Sequence, residues 1–224
     1  RMILDSNHNP FPGLRAFKGS ESHLFFGREE HIDDVLSKLD RNHFVAVVGT
    51  SGTGKSSLIK AGVLPVIAAG AKSKKDEKWI VVSINPGSSP IENLAKAICE
   101  NGALIKDKDK NSLQKRLIDL MRHSTLGLVQ IMRSVLDKNS KLLILIDQFE
   151  EVFRFVDDDQ KEAKAEYDQF VKVIIDTVRQ RDVPIYSILT LRSDFLGDCV
   201  AFEGLPEAIN DGHYLVPRMN NVQM

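Results

Sequence analysis

Cysteine is scarce in this sequence, and long apolar runs are missing altogether. Cys99 and Cys199 are the only cysteines among 224 residues, and they form neither a CxxC pair nor a Cys/His spacing typical of zinc sites. We therefore expect two reduced thiols, and we assign none of the six histidines to a metal. No apolar run reaches the ~20 residues needed to span a bilayer, and the N-terminus lacks a signal-peptide pattern. These features favour a cytoplasmic protein without membrane contact.

Charge of one sign is not in excess either. The formal net charge is −1, with 30 lysines and arginines against 31 aspartates and glutamates, so nothing global indicates a nucleic-acid partner. Residues 71–78 concentrate charges of both signs without interleaved aromatic residues, which favours a solvated turn over a phosphate- or DNA-binding patch. The hydrophobic content of 42% is typical of an ordinary globular domain.

Short β-branched runs alternate with amphipathic stretches along the chain. Strands are predicted at 44–48, 79–84, 142–146, 185–191 and 214–216, and helices at 28–41, 55–69, 90–100, 112–122, 125–138, 160–180 and 204–210. Pro65 predicts a kink or early stop in the second helix, and Ser89 with Glu92 predicts a side-chain-capped start for the third. This alternation predicts a three-layer α/β fold with a five-stranded, mainly parallel sheet and helices on both faces.

Two regions are expected along the chain. Residues 1–27 have little periodicity and are interpreted as an extended arm, whereas residues 28–219 carry the predicted strands and helices of one domain. The sequence begins with Arg1 rather than Met and ends soon after the fifth predicted strand. We therefore expect it to be a piece of a longer protein, truncated at both ends.

The strongest chemical pattern is a glycine-rich turn between the first strand and the second helix. It fits G-x-x-x-x-G-K-[ST] and consists of Gly49, Thr50, Ser51, Gly52, Thr53, Gly54, Lys55 and Ser56, with Ser57 counted among the binding residues. The backbone N–H groups of such a turn form a nest for phosphate oxygens, and the helix N-terminus adds positive potential. Lys55 is expected to contact the β- and γ-phosphates of ATP or ADP, and the Ser56 hydroxyl to ligate Mg²⁺. The predicted fold is therefore that of a P-loop NTPase.

An acidic group follows the third predicted strand. Asp147 comes directly after the apolar run 142–146, which places a carboxylate at the carboxyl edge of the sheet, where ligands bind in open α/β folds. Asp147 is expected to hold Mg²⁺ through water, opposite Ser56. Glu150 or Glu151 is expected to orient the attacking water, and the sequence leaves the choice between them open. The alternative for Glu151 is an exposed acid favoured by a helix N-terminus.

Arg192 ends the fourth predicted strand and would lie at the same edge of the sheet. From this position its guanidinium could contact a γ-phosphate. The alternative is a structural salt bridge to a neighbour such as Asp194.

These blocks together resemble the STAND class of P-loop NTPases, and more narrowly its bacterial branch of novel STAND NTPases. The resemblance extends from Asn9 to about Met219 and rests on residues 9–17, 24–29, 47–57, 60–65, 86–90, 146–151 and 189–197. It implies that Phe26, Gly27 and Arg28, at the end of a Phe-Phe-Gly-Arg stretch, line an adenine pocket. It also implies that Arg192 reads the γ-phosphate.

The resemblance further implies a function. Members of this class are modular, with effector and sensor domains, and many bacterial members are thought to act in signalling or defence. ADP holds the resting state, exchange for ATP opens and oligomerises the protein, and hydrolysis resets it. The helical and winged-helix parts that close over the nucleotide are missing from this sequence, so the isolated fragment could be inactive.

The main hypothesis from the sequence is a regulatory ATPase module that hydrolyses ATP slowly and switches on exchange of ADP for ATP. One alternative is a steadily hydrolysing P-loop ATPase or kinase, although no motif for a second substrate is present. The other alternative is an interaction scaffold whose nucleotide is structural.

Overall fold

A computed structural model describes residues 28–70, 77–105, 110–154 and 161–217 of the chain. Its strands are β1 (Phe44–Gly49), β2 (Lys78–Ile84), β3 (Ser140–Ile146), β4 (Ile185–Arg192) and β5 (His213–Leu215). Its α-helices are α1 (Glu29–Asn42), α2 (Lys55–Ser57), α3 (Leu64–Ala68), α4 (Pro90–Glu100), α5 (Lys110–His123), α6 (Gly127–Val135), α7 (Glu151–Arg154), α8 (Lys161–Arg179) and α9 (Leu205–Asp211). A π-helical turn, Leu58–Val63, joins α2 to α3, and 3₁₀ turns Ser193–Phe195 and Asp198–Ala201 follow β4.

The strands form one five-stranded sheet in the order β2-β3-β4-β1-β5, and each of these neighbouring pairs is parallel. The predicted parallel α/β sheet is therefore confirmed. β4 lies between β1 and β3, and its last residue, Arg192, pairs with Gly49 at the end of β1. Because the carboxyl ends of parallel strands meet at one edge, the glycine-rich turn and Asp147 emerge at the same edge of the sheet.

The core has one part on each face of the sheet, since side chains alternate along a strand. On one face Phe44, Ala46 and Val48 pack together with residues of α4, α5, α6, α8 and α9. On the other face Val45 and Val47 pack against α1, the π-helical turn and α3. All of β1 is buried, as expected of an internal strand in a three-layer fold.

The second helical stretch does not stop at Pro65. The chain remains helical through Pro65 to Ala68, so the expectation of an early stop is wrong. A proline lacks an N–H and its ring clashes with the carbonyl four residues earlier in an α-helix. The preceding π-helical turn is wider and relieves that conflict, with the N–H of Leu64 donating to the carbonyl of Ile59. The irregularity next to Pro65 is thus a π-helical turn that precedes the proline.

The start of α4 also differs from its prediction. Ser89 occupies the N-cap position, but its side chain makes no cap hydrogen bond. Glu92, expected to complete the capping box, accepts a hydrogen bond from Arg122 of α5 at 3.0 Å instead. The helix starts with Pro90, which has no N–H to satisfy, and the N–H of Asn93 donates to the Ser89 carbonyl at 2.9 Å. The helix is present where predicted, but the side-chain cap is not.

Candidate functional site

The turn after β1 depends on its glycines for two different reasons. Gly52 and Gly54 have φ angles of +78° and +83°, a left-handed conformation that side chains disfavour. At Gly49 the packing is close, because a Cβ atom there would lie 2.7 Å from the Thr53 Oγ1 and would force that side chain to shift. The turn therefore brings its backbone into a compact loop that a larger residue at these positions would disturb.

Lys55 lies inside this loop. Its Nζ donates hydrogen bonds to the carbonyl oxygens of Gly49 and Thr50, both at 2.9 Å. Burial lowers the pKa of Lys55, while the charge of Glu150 acts in the opposite direction. The ammonium group is thus held where β1 passes into the turn.

The remaining predicted turn residues differ in exposure. Thr50 and Ser51 are exposed, and the hydroxyl of Thr53 donates to the Thr50 carbonyl at 2.9 Å. Ser56 is half-buried, whereas Ser57 is buried. Ser57 is therefore less accessible to a ligand than Ser56.

Arg28 connects the start of α1 to the glycine-rich turn. Its side chain is buried, with the residue only 2% exposed, and its Nη2 donates to the Thr53 carbonyl at 3.3 Å. Its Nε and Nη1 have no hydrogen-bond partner in the part of the chain that the structure describes. Burial lowers the pKa of Arg28. Phe26 and Gly27, predicted with Arg28 to line the adenine pocket, lie outside the described residues.

Asp147 is the most heavily hydrogen-bonded acidic group at this edge. Its Oδ1 accepts from the Ser56 Oγ at 2.8 Å and the Thr190 Oγ1 at 2.6 Å. Its Oδ2 accepts from the Lys60 Nζ at 2.5 Å. Burial by itself raises the pKa of Asp147, but hydrogen bonds from Lys60, Thr190 and Ser56 outweigh it and hold the pKa below its usual value. The carboxylate is therefore ionised at neutral pH although it is buried.

The pairing of Ser56 with Asp147 fits a Mg²⁺ site. The two groups offer a hydroxyl and a carboxylate oxygen, which are the hard oxygen ligands that Mg²⁺ prefers. Among the described residues there is no group of three or more His, Cys, Asp or Glu side chains that could hold a metal by itself. A Mg²⁺ ion bound here would need phosphate oxygens and water to complete its shell, as is usual for Mg²⁺ bound with nucleotides.

Gln148, directly after Asp147, has an unusual backbone. Its φ angle is +58°, a left-handed value uncommon for a residue other than glycine. Its N–H donates to the Thr190 Oγ1 at 2.9 Å, and its exposed side chain accepts from the Asn85 Nδ2 at 3.4 Å. The Thr190 hydroxyl thus joins the backbone turn after β3 to the carboxylate of Asp147.

Glu150 and Glu151 have different surroundings. Glu150 is 7% exposed, and its Oε2 accepts from the N–H of Arg192 at 3.3 Å. The Glu151 Oε2 instead accepts from the N–H of Gly87 at 3.1 Å, in the turn after β2. The Gly87 carbonyl in turn accepts from the Tyr167 hydroxyl of α8 at 2.8 Å. Glu150 therefore contacts the end of β4, whereas Glu151 contacts a loop that is anchored to α8.

The Arg192 side chain forms the local pair that was its alternative role. Its Nε donates to the Asp194 Oδ1 at 3.2 Å, its Nη2 forms an ion pair with the Asp194 Oδ2, and the guanidinium lies 5.4 Å from the centre of the Phe195 ring. The backbone of Arg192 nevertheless lies beside Gly49. The position at the sheet edge is thus as expected, while the side chain is engaged with Asp194.

Sequence reasoning missed Lys60, Thr190, Gln148 and Asn85. Nothing in the local pattern distinguishes Lys60 from a solvated helix lysine or Thr190 from a strand residue. Their roles arise from contacts made across the sheet edge, to Asp147 and to the turn that follows it. The one usable signal was the position of Thr190 two residues before Arg192, at the end of a predicted strand.

The fold and the site together define a P-loop NTPase domain of the α/β class. The glycine-rich turn lies between a buried parallel strand and a helix, with Lys55 inside it and the Ser56–Asp147 pair beside it. The chain matches the family described as Novel STAND NTPase 1 over residues 10–224, and it belongs to that family. A search of curated proteins returned no match.

Solved structures from three organisms align with this chain at low sequence identity. The Aeropyrum pernix ORC2 protein, in ADPNP-ADP complexes, is 19% identical over 95% of this chain and 50% of its own, with a TM-score of 0.49. A chain of the E. coli MS115-1 HORMA:CdnC:Trip13 complex is 14% identical over 93% of this chain and 69% of its own, with a TM-score of 0.52. C. elegans PCH-2 is 19% identical over 84% of this chain and 41% of its own, with a TM-score of 0.42.

The chain of the E. coli complex has a TM-score above 0.5, and at 14% identity this similarity supports the fold alone. This chain spans half the length of the Aeropyrum pernix protein and less of the C. elegans protein. Across the described residues, the structure contains no helix long and apolar enough to cross a membrane.

Proposed function

We propose that this chain is the nucleotide-dependent switch module of a larger signalling or defence protein. In this proposal ADP holds one conformation, ATP with Mg²⁺ favours another, and slow hydrolysis restores the first. The observation that carries the proposal is the pairing of Gly49 with Arg192, which brings the end of β4 beside the phosphate-binding turn. A γ-phosphate can shift a conformational equilibrium only through contacts that ADP lacks. The end of β4 is a suitable source of such contacts.

In this proposal the Arg192–Asp194 ion pair is the first of the two arrangements that a switch requires. With Asp194 as its partner, the Arg192 guanidinium is satisfied locally. A γ-phosphate would compete with Asp194 for the same guanidinium, because both are anions with oxygen acceptors. Since β4 continues directly into the 3₁₀ turn Ser193–Phe195, an exchange of partners at Arg192 would move this turn.

Glu150 is the better candidate for orienting the attacking water. Its carboxylate contacts the N–H of Arg192, and its charge acts on the pKa of Lys55, so it is near both the end of β4 and the phosphate-binding lysine. Glu151 is engaged with the N–H of Gly87 and has a structural role in this proposal. Mg²⁺, when bound beside Ser56 and Asp147, would supply neutralisation of charge on the phosphates.

The proposal extends to the organisation of the protein. Residues 1–27 would form an arm that carries part of the adenine pocket, and residues 28–219 the nucleotide-binding domain. Effector and sensor domains would lie outside this sequence, and self-association would occur through the full-length protein. These features are what the Novel STAND NTPase 1 family membership favours, since members of the STAND class are modular.

The switch is tested on the full-length protein by mass spectrometry of released small molecules and by light scattering. We expect ADP to co-purify, and we expect ATP with Mg²⁺ to increase the assembled fraction relative to ADP. Arg192→Ala should retain ADP binding but lose the difference between ADP and ATP. Identical assembly with both nucleotides would favour a scaffold with a structural nucleotide. Turnover above roughly 1 s⁻¹ would favour a steadily working ATPase or kinase.

The choice between the two glutamates is tested by a matched pair of variants. Glu150→Gln should lower the single-turnover hydrolysis rate by about 100-fold or more, the usual contribution of general acid–base groups, without loss of ATP binding. Glu151→Gln should lower that rate by less than about tenfold, because its carboxylate contacts a loop rather than the reacting water. The reverse order of the two effects would assign the role to Glu151.

A further inference from the structure

A lysine occupies one oxygen of the carboxylate that is expected to hold Mg²⁺. The Lys60 Nζ lies 2.5 Å from the Asp147 Oδ2, and the side chains are 38% and 4% exposed, respectively. The other oxygen, Oδ1, already accepts from the Ser56 and Thr190 hydroxyls. Lys60 thus provides the positive charge that neutralises Asp147.

The local structure explains why Lys60 reaches this position. Lys60 follows Ser56 by four residues, and side chains at this spacing lie on the same side of a helix. Lys60 also lies within the π-helical turn Leu58–Val63, which accommodates Pro65. Ser56 and Lys60 therefore contact the same carboxylate from one helical surface, each at a different oxygen.

A divalent cation and an ammonium group cannot share Asp147 without repulsion, because like charges a few ångströms apart repel strongly where water is partly excluded. The long flexible side chain of Lys60 and its partial exposure give it somewhere to go when it leaves the carboxylate. The carboxylate, by contrast, is fixed by the two hydroxyls on Oδ1. Exchange of cations at Asp147 would therefore require movement of Lys60 and not of Asp147.

We propose that Lys60 is a built-in competitor of Mg²⁺ at Asp147. It takes the place of the metal when the metal is absent, so that ADP binds well without Mg²⁺, and it must leave Asp147 when Mg²⁺ enters with ATP. Lys60 is a positioning residue in this proposal, since it acts through Asp147. The proposal rests on the nucleotide site proposed above and adds a determinant of its metal dependence.

The test measures the ADP dissociation constant of the full chain by calorimetry, once with excess EDTA and once with Mg²⁺. For the unaltered protein the two constants should be similar. In Lys60→Met the bare carboxylate should repel metal-free ADP and attract Mg²⁺. The ratio of the dissociation constant in EDTA to the dissociation constant with Mg²⁺ should therefore rise by at least about tenfold, within the coupling range of neighbouring charged groups. Lys60→Arg, which keeps the charge, should retain most of the original ratio.

Two controls separate this role from a structural one. Lys96→Met removes a lysine of α4 whose side chain is 63% exposed, and it should leave the ratio unchanged. In an Asp147→Asn background, Lys60→Met should have no further effect on the ratio, because the shared carboxylate is gone. Binding of Mn²⁺ to the ADP-bound protein, followed by electron paramagnetic resonance, should be tighter in Lys60→Met than in the unaltered protein.

The outcomes distinguish this inference from the function on which it rests. An unchanged ratio in Lys60→Met, in a protein that binds ADP, would overturn the role of Lys60 and leave the nucleotide site intact. No binding of ADP to the unaltered full chain under either condition would overturn both. Equal Mn²⁺ affinity in the two proteins would also overturn the competition.

Discussion

The two ends of the strands treat ionisable groups in opposite ways; the carboxyl edge is where β1, β3 and β4 end, and the amino edge is where they begin. At the carboxyl edge Asp147 is buried and yet remains ionised, because three hydrogen-bond donors compensate its charge. At the amino edge the His43 ring packs against Tyr186 with ring centres 4.0 Å apart. Burial, with a smaller effect from the charge of Arg181, lowers the pKa of His43 to about 4. His43 is therefore neutral at neutral pH.

Aromatic packing extends this contrast along the amino edge. The Trp79 and Tyr186 rings lie 4.8 Å apart, and the Lys141 Nζ is 5.4 Å from the centre of the Trp79 ring and 2.8 Å from the Glu77 carboxylate. The carboxyl edge thus holds an ionised carboxylate with three hydrogen-bond donors, whereas the amino edge holds a neutral imidazole packed against an aromatic ring. The proposed function assigns nucleotide binding to the carboxyl edge, and the aromatic packing lies at the opposite ends of the same strands.

The largest expected effect is that of Lys55→Ala, which removes the ammonium from the carboxyl edge. ADP affinity should fall by about 100-fold or more, the contribution typical of charged hydrogen bonds to a ligand. Calorimetric titration measures it, with Lys96→Ala as a matched control on the exposed surface of α4. Thermal unfolding should change little, since the amino edge and the core are untouched. An unchanged ADP affinity would contradict the assignment of the site.

ADP binding offers a second way to distinguish the roles of the two edges. ADP at 100 times its dissociation constant should raise the free energy of unfolding by about 2.7 kcal/mol. For a chain of this size the melting midpoint should rise by several degrees, at roughly 2–4 °C per kcal/mol. Trp79 is the only tryptophan, so its native fluorescence reports on the amino edge and should not change on binding. A constant melting midpoint would contradict ADP binding, and a large change in the native emission would contradict binding at the carboxyl edge alone.

A smaller effect is expected from Asp147→Asn, which keeps the shape of the side chain and removes its charge. The affinity for ATP with Mg²⁺ should fall about tenfold more than the affinity for ATP in EDTA, because only the former uses the carboxylate as a metal ligand. Calorimetry under both conditions measures the difference. Asp182→Asn, at a carboxylate 60% exposed, is the control and should alter neither constant. Equal losses under both conditions would argue against a metal ligand.

The smallest expected effect concerns His43 and pH. The unfolded chain binds a proton at His43 near its usual pKa of 6.5, whereas the folded protein does so only near 4. Between these values the unfolded state binds more protons, so the free energy of unfolding should fall as the pH falls. After allowance for partial exposure, the loss due to His43 should be on the order of 1 kcal/mol.

His43→Asn tests this prediction, because asparagine tolerates the left-handed backbone that His43 adopts, with φ of 58°. Urea unfolding at neutral pH and at about pH 5 should show a weaker pH dependence in the variant than in the unaltered protein. ADP affinity at neutral pH should be the same in both. An identical pH dependence would show that His43 is not the group responsible.

The sequence predicted the strands and the glycine-rich turn because their signals are local. β1, β3 and β4 are runs of buried apolar residues, and the turn depends on left-handed glycines and one lysine within a few positions. The parallel sheet followed from the alternation of strands with helices. Helix ends were less well predicted, as for α6, which extends over Gly127–Val135 rather than 125–138.

The missed features are contacts between distant positions. Thr190 and Lys60 reach Asp147 across sequence separations of 43 and 87 residues, respectively. No periodicity or motif encodes such a contact, because it depends on β4 lying beside β3 and on the exact rotation of a helix. The Glu92 half of the capping box predicted at Ser89 is missing for the same reason, since the Glu92 carboxylate accepts from Arg122 on another helix. Local rules failed where a tertiary partner competed with a local one.

The π-helical turn before Pro65 affects how the next helix, α3, is oriented. The π-helical turn has more residues per turn than an α-helix. The side chains of α3 are therefore rotated about the helix axis relative to their positions in an unbroken α-helix. Each residue of an α-helix advances the side chains by about 100°, so tightening this turn by one residue would rotate α3 by about that angle. Ile67, now 2% exposed in the core, would be turned away from its neighbours. The π-helical turn before Pro65 therefore determines which face of α3 meets the core.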